Sequence, residues 1–342
     1  MTIDLHSHWQ PSALIDALRA RDKMPMIRKN ADGVEVLMSN RGETTLEKAF
    51  DDVDQRLADM DEHGISTAVL SLFGMYQWIE RLPVAESLPL VKLFNDSVSK
   101  ICKDHPGRFA AYASLPLADM EAAAAELRRA MALPGIIGVI LPGNGFMTRA
   151  DADEFAPIMK VADELHAMVF IHWSPRPGDP WPRVTPDTDN FIRRLGTLDM
   201  QASLSADMVT LCCTDYLDAY PNAVVHIHNL GGNIPFEIER MDHRNYMDTP
   251  DDPLPSSLLR RDNLYVDCNS FGPRAIEMGV AAYGADRILF GTDGTGFGCK
   301  WTNDALDQAR LSEDERELIR HGNAARLMAD LVPLAGHKEA AE

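Results

Sequence analysis

Short runs of apolar residues alternate along this chain with longer stretches in which apolar residues recur every three or four positions. Eight of the short runs read as strands: Thr2–His6, Thr67–Leu72, Phe109–Ser114, Ile136–Leu141, Met168–His172, Ala223–His228, Asn263–Asp267 and Arg287–Gly291. Most are continuously apolar, the pattern of strands buried on both faces. Between them, Leu46, Phe50, Val53, Leu57 and Met60 lie at spacings of four and three and draw one face of a helix. Ser87–His105, with Ser87 as its N-cap, and Asp119–Leu133 also read as helices. Ser312-Glu-Asp-Glu315 has the form of a capping box opening the last helix. Repeated strand–helix alternation predicts an α/β fold, a (β/α)8 TIM barrel. A doubly wound open sheet is the alternative, but no Gly-x-Gly-x-x-Gly follows the first strand.

Three connections, residues 9–45, 173–192 and 241–262, are too long to be plain turns. In a barrel, the connections that follow strand C-termini build the active face. The second of them holds Pro175, Pro177, Pro180, Pro182 and Pro186, which predicts a stiff wall carrying Trp173, Arg176, Trp181 and Arg183. No repeat or linker interrupts the pattern. One domain is expected over 1–334, with long active-face insertions and a disordered tail at 335–342.

Composition narrows the partners. Lys and Arg number 33 against 52 Asp and Glu, a net charge of −19. That balance disfavours nucleic acid and an anionic membrane surface, and leaves a small molecule. No apolar run approaches the ~18 residues of a membrane span. The N-terminus lacks the basic and apolar regions of a signal peptide, and the five cysteines form no Cys-x-x-Cys. A cytoplasmic protein with free thiols is expected.

The placement of the histidines changes the picture most. His6 and His8 end the first strand two residues apart, so their side chains share a direction and can reach one point at the barrel mouth. His172 ends the fifth strand, His226 and His228 end the sixth, and Asp293 follows the eighth. Ligand-type side chains at four strand ends on one face predict a metal site. His6, His8, His172 and Asp293 would leave a coordination position for water or substrate. A divalent ion there, zinc or manganese, would polarise a substrate oxygen, and Asp293 could also pass a proton. Taken singly, each has a plainer role: Asp293 as a carboxylate steadying the last turn, His172 as a satisfied core histidine. His63, His105 and His166 fall near helix ends that precede strands, where a stabilising role is expected. Arg176, Arg183, Arg240 and Arg244 lie in or after active-face connections, and Arg56 lies beside the apolar stripe of its helix. An arginine clamp holds a carboxylate by two contacts, although any one of these reads as readily as solvated surface.

As a set, Ile3-Asp-Leu-His-Ser-His-Trp-Gln-Pro11, Arg56-Leu-Ala-Asp-Met-Asp-Glu-His-Gly-Ile65, His105-Pro-Gly-Arg-Phe109, Phe170-Ile-His172, Gly231-Gly-Asn-Ile-Pro235 and Arg287-Ile-Leu-Phe-Gly-Thr-Asp293 resemble the amidohydrolase superfamily across roughly residues 1–330. The resemblance is to the branch of aminocarboxymuconate semialdehyde decarboxylase and related aromatic-acid decarboxylases, which also holds hydratases, lactonases and carbon–carbon hydrolases. It implies one divalent metal ion on His6, His8, His172 and Asp293. Binuclear members carry a bridging lysine at the end of strand four, where this chain has Val139-Ile-Leu-Pro142. It implies too that Arg56 and Arg240 hold a substrate carboxylate, Arg240 across a dimer interface, so a homodimer or higher homo-oligomer is expected.

Two departures stand against the family pattern. A catalytic histidine usually precedes the Gly-Gly after strand six, and aligning Gly231-Gly232 and Pro235 puts Asn229 there, with His228 one residue earlier. Asparagine is no general base, though it can orient water or substrate, and a one-residue shift reverses a strand side chain. After Asp293, Gly294-Thr-Gly-Phe-Gly298 stands where many decarboxylases have Tyr-Pro. The resulting expectation is a metal-dependent decarboxylase of a small aromatic or unsaturated carboxylic acid. Asp293, His228 and Asn229 would serve the chemistry, and Arg56, Arg240, Trp173 and Arg176 the substrate. A metal-dependent hydrolase or hydratase of a ring-cleavage product or lactone is the alternative, and a binding protein without catalysis is the third reading.

Overall fold

The computed structural model describes residues 1–39, 42–46, 52–72, 77–180, 189–294, 299–332 and 334. Among these, the strands are β1 (Thr2–Trp9), β2 (Met26–Lys29), β3 (Glu35–Ser39), β4 (Gly42–Thr45), β5 (Ile65–Leu72), β6 (Phe109–Ala113), β7 (Ile136–Pro142), β8 (Met168–His172), β9 (Val224–Ile227), β10 (Leu264–Asp267) and β11 (Ile288–Leu289). β1 and β5 to β11 form one eight-stranded parallel sheet in chain order. Backbone bonds draw its edges together: Leu5 N–H donates to the Phe290 carbonyl at 3.0 Å and Asp293 N–H to the His6 carbonyl at 2.8 Å. Helices surround the strands, giving a (β/α)8 TIM barrel.

All eight predicted strands form, because continuous apolar runs suit strands covered on both sides. One cluster, including Ile3, Leu5, Val69, Tyr112, Ile140 and Phe170, fills the barrel, and Ala324 and Met328 of the C-terminal helix join it. A larger cluster lies between strands and helices. The strands approach closely at Gly138, where a Cβ would stand 1.8 Å from the Met168 carbonyl oxygen, so no larger residue fits.

β1 contains a bulge that sets up the site. Asp4 pairs with Ala68 and Ser7 with Leu70, so β1 spends one residue more than its neighbour across this interval. An extra residue re-aims the side chains that follow it. Ile3 and Leu5 therefore fill the barrel, and His6, on the opposite parity, also points inward to meet Phe170 at 4.9 Å between rings.

The structure corrects several local expectations. The connection after β1 holds a helix, Ser12–Ala20, and an antiparallel sheet, β2–β3–β4. Ser87 is no N-cap. That helix spans Val84–Asp104 and begins after Pro83, leaving Ser87 buried in its first turn. The helix expected over Leu46–Met60 is Val53–Glu62, started by Asp52, whose side chain accepts the Gln55 N–H at 2.9 Å. Leu46 lies outside it. The Ser312 capping box forms, and Asp119 caps Met120–Met131. Phe50, Trp181, Pro182, Arg183, Pro186, residues 295–298 and the 335–342 tail lie outside the described residues. No described helix is long and apolar enough to cross a membrane.

Glu80 gives the fold a testable pH dependence. It is buried in the turn Gln77–Arg81, with Oε1 accepting the Leu115 N–H at 3.4 Å. Burial raises its carboxyl from 4.5 to about 7, against the pull of Arg81 and its hydrogen bonds. A raised carboxyl pKa stabilises the fold below 4.5, and that contribution is lost as pH climbs through about 7. Glu80→Gln keeps the shape without the charge. Relative to the parent, it should gain on the order of 3 kcal/mol at pH 8 and nearly nothing at pH 4.5 in urea melts. Equal differences at both pH values would refute this.

Candidate metal centre at the barrel mouth

The end of β1 brings His6 and His8 together, with ring centroids 5.2 Å apart, and β8 supplies His172 at 5.2 Å and 5.0 Å from them. One ring nitrogen from each can be chosen so that all lie within 4.8 Å of one another. Asp293 arrives just after β11, with Oδ1 3.1 Å from His8 Nε2 and 3.9 Å from His6 Nε2. Its φ of 52° is left-handed, a conformation that costs a non-glycine residue about 1–2 kcal/mol. The turn that imposes it also carries the N–H bonds to the His6 carbonyl.

The donor set fits a divalent metal. His6 Nε2 and His172 Nδ1 are buried without a hydrogen-bond partner. Such atoms are costly unless something takes their lone pairs. Three imidazole nitrogens and a carboxylate around one point are borderline ligands of the kind zinc and manganese accept. Burial, with the neighbouring charges of His228, His8 and His6, holds His172 well below its ordinary pKa, so it is neutral. Burial likewise lowers His8 despite Asp293. For His6, burial is outweighed by Asp267, Asp293 and Asp4, which raise it. For Asp293, burial is outweighed by the His8 bond and the nearby histidines, which keep it an anion.

Partners behind His6 and His8 fix their orientation. Asp267, ending β10, accepts from His6 Nδ1 at 3.0 Å and His226 Nε2 at 2.9 Å on one oxygen. Its other oxygen accepts the N–H groups of Asn229 at 2.9 Å and Asn269 at 3.1 Å. A carboxylate offers only lone pairs, so His6 carries its proton on Nδ1 and turns a bare Nε2 to the centre. These donors outweigh burial and hold Asp267 far below the usual carboxylate range. Ser71 does the same for His8. Its hydroxyl donates to the Ser7 carbonyl at 3.0 Å and so accepts from His8 Nδ1 at 2.8 Å. Neither Asp267 nor Ser71 is singled out by sequence; the one available signal is a polar residue ending an apolar strand.

The structure separates His228 from Asn229. The His228 ring stacks on His172, 4.4 Å between centroids and 17° apart, and lies 5.3 Å from His6. Its Nε2 accepts the Trp173 N–H at 2.9 Å, which leaves the proton on Nδ1, buried and without a partner. Burial lowers its pKa to about 3, so it is a neutral N–H donor. Asn229 and Leu230 both take φ of 53°, and this left-handed turn swings Asn229 aside. Asn229 Oδ1 accepts from Asn269 Nδ2 at 2.9 Å, away from the imidazoles.

The arginines divide differently from expectation. Arg56 is buried beside the centre and donates Nη2 to the His8 carbonyl at 3.0 Å. The Arg176 guanidinium bonds Asp151 at 2.7 Å, Glu154 at 3.3 Å and Asp179 at 3.3 Å, partners scattered along the chain that already meet its charge. Arg240 is exposed and lines a surface groove with Val209, Met241 and Arg244, apart from the imidazoles. Trp173 touches the centre through its backbone N–H. His63 and His105 sit at helix C-termini, His63 bonded to the Asp59 carbonyl, and His166 follows the helix Ala156–Glu164.

An amidohydrolase family model matches residues 3–328. The chain belongs to the amidohydrolase family. It is 27% identical over 301 residues to a gamma-resorcylate decarboxylase of Rhizobium radiobacter, covering 82% of this chain and 88% of the relative. Among solved structures, this amidohydrolase resembles a 2,6-dihydroxybenzoate decarboxylase complexed with 2,6-dihydroxybenzoate. The TM-score is 0.73 at 24% identity, covering 96% of this chain and 98% of the other. A dihydroxybenzoic acid decarboxylase from Polaromonas, with bound manganese and the inhibitor 2-nitroresorcinol, matches with a TM-score of 0.71 at 23% identity, covering 96% of each chain.

Proposed function

We propose that this amidohydrolase is a metal-dependent decarboxylase of a small aromatic carboxylic acid. The observation that carries the reading is the convergence of His6, His8, His172 and Asp293 on one point at the barrel mouth. The hydroxybenzoate decarboxylases among its relatives support the reaction class. A single divalent ion would be held by those four residues. Zinc suits the donors, and manganese in the Polaromonas relative supports the other choice. When bound, the ion supplies positive charge to the substrate carboxylate and a neighbouring oxygen.

The chain's own groups complete the reaction. Asp293 takes up a proton that enters with the substrate and delivers it to the ring carbon bearing the carboxylate. The carbon–carbon bond then breaks, its electron pair restores the ring, and carbon dioxide leaves. The His228 Nδ1 proton would bond a substrate oxygen, because no described residue takes it. Arg56 steadies the end of β1 through the His8 carbonyl and adds a buried positive charge beside the acid. Asn229 acts through the Asn269 amide rather than on the reacting carbon.

Carbon dioxide release from 2,6-dihydroxybenzoate and related hydroxybenzoates, lost on chelation and restored by zinc or manganese, tests the reading. In the same assay His228→Ala should slow turnover by about 10²-fold, in line with the loss of one oriented donor to developing charge. Absence of metal-dependent carbon dioxide release across such acids would overturn the proposal. Incorporation of solvent oxygen-18 into the product would identify the hydrolytic alternative instead.

The helix Ile234–Asp248 supports a homodimer. Phe236, Arg240 and Met247 recur along one exposed face of it, and Tyr246 is exposed beside them. A second copy covering this stripe would bury its apolar groups and give Arg240 a carboxylate to meet.

A further inference from the structure

A cavity of about 320 Å³ on the barrel rim takes no part in this chemistry. Three active-face connections build it: Met24 and Pro25 after β1, Trp78 and Arg81 after β5, and Arg176 and Asp179 after β8. Arg81 donates Nε to the Pro175 carbonyl at 2.7 Å, and its guanidinium carbon stands 4.5 Å from the Trp78 ring centre. Among the described residues no carboxylate lies within ion-pair distance of Arg81. Its nearest negative charges are Glu80 and Asp179. Burial keeps Glu80 protonated up to about pH 7, and Asp179 is already bonded to Arg176. Burial lowers Arg81 to about 10, which still leaves it a cation at neutral pH. This half-buried guanidinium gains from a partner anion, and the indole face supplies only part of what a carboxylate would. Among the described residues nothing takes the two Nη groups of Arg81, which lie beside an aromatic wall. The two cations of the cavity differ here, since Arg176 is spent on three carboxylates.

We propose that this rim cavity binds the carboxylate of a small aromatic acid, with Arg81 gripping the anion and Trp78 flanking the ring. Fork geometry suits guanidinium to carboxylate by two parallel bonds. The carbonyl that holds Arg81 is three residues beyond His172, so the cavity stands beside the mouth rather than in it. It collects the acid near the metal centre as a separate subsite. The inference rests on the proposed decarboxylase reading for the class of acid.

The test is calorimetric titration of benzoate into metal-free protein, with benzamide as the uncharged control. Benzoate should bind and benzamide should bind at least tenfold more weakly. Arg81→Gln should weaken benzoate at least tenfold, and Arg81→Lys should restore part of the loss. Met24→Trp fills the cavity while leaving Arg81 in place, so it should also weaken benzoate and keeps the test open if Arg81→Gln fails to fold. His172→Ala should leave this binding unchanged. Equal affinity for benzamide, unchanged binding in both Arg81→Gln and Met24→Trp, or loss in His172→Ala would overturn the proposal. The two readings fail separately, because benzoate binding without metal does not depend on turnover. Carbon dioxide release without such binding rejects the subsite alone, and such binding without carbon dioxide release rejects the decarboxylase alone.

Discussion

His172→Ala should emerge from purification with little bound metal and no measurable release of carbon dioxide. The variant keeps His6, His8 and Asp293, but a centre with two imidazoles and one carboxylate has lost one of its three imidazole nitrogens. Removing a partner from behind a ligand commonly costs 10–100-fold in metal affinity, and removing the ligand itself should cost more than about 10²-fold. A second loss compounds the first. The His228 ring rests against His172 at 4.4 Å, so truncation also frees the N–H donor assigned to the substrate. Metal content by atomic emission and carbon dioxide release measured together check this. A variant with full metal content and an unchanged rate would show that the ligand assignment is wrong.

Asp267→Asn should weaken metal binding by about 10–100-fold while leaving much of the rate recoverable at high metal concentration. The side chains have nearly the same shape, but an amide presents N–H where the carboxylate presents lone pairs. His6 and His226 both donate to the same oxygen of Asp267. With asparagine, the amide nitrogen faces either the two imidazoles or the two backbone N–H groups, so one pair of donors loses its acceptor. Where it faces His6, the imidazole keeps its Nδ1 bond only by moving its proton to Nε2, the atom that faces the centre. The measurement is competition with a chelator, carried out well below the melting temperature so that folded protein is compared with folded protein. A purely structural role would lower the melting temperature and leave metal affinity unchanged. The positioning role assigned here requires the affinity itself to fall.

Much of the barrel was legible because its determinants are local in sequence. A run such as Met168–His172 is apolar throughout, and β8 occupies that segment with the same bounds. The histidine cluster at the barrel mouth was legible for a related reason, since strand ends of a barrel converge wherever the strands lie in sequence. What stayed hidden depends on backbone direction or on distant partners. β4 reads Gly-Glu-Thr-Thr and is mostly exposed, so no hydrophobic period marks it. Ser87 resembles a cap until Pro83 starts the helix one turn earlier. Asn229 and His228 could not be told apart without the pair of positive φ angles that turn Asn229 aside. Arg176 looked available because the carboxylates that occupy it, Asp151 and Glu154, lie on another connection. Asp267 was indistinguishable from any acidic residue closing a strand until its four donors were seen around it.

The bulge in β1 divides one strand between two kinds of selection. Up to Leu5 its inward residues answer to packing, so a substitution there is judged by volume and by the neighbours it must fit. From His6 onward they answer to chemistry, where volume matters less than which atom carries a lone pair. The single surplus residue lets the two halves drift independently, because the parity of one no longer dictates the parity of the other. Anyone moving this centre onto a different barrel must therefore carry the irregularity along with the histidines. A perfectly regular strand with the same letters would keep its core and turn His6 and His8 to the wall.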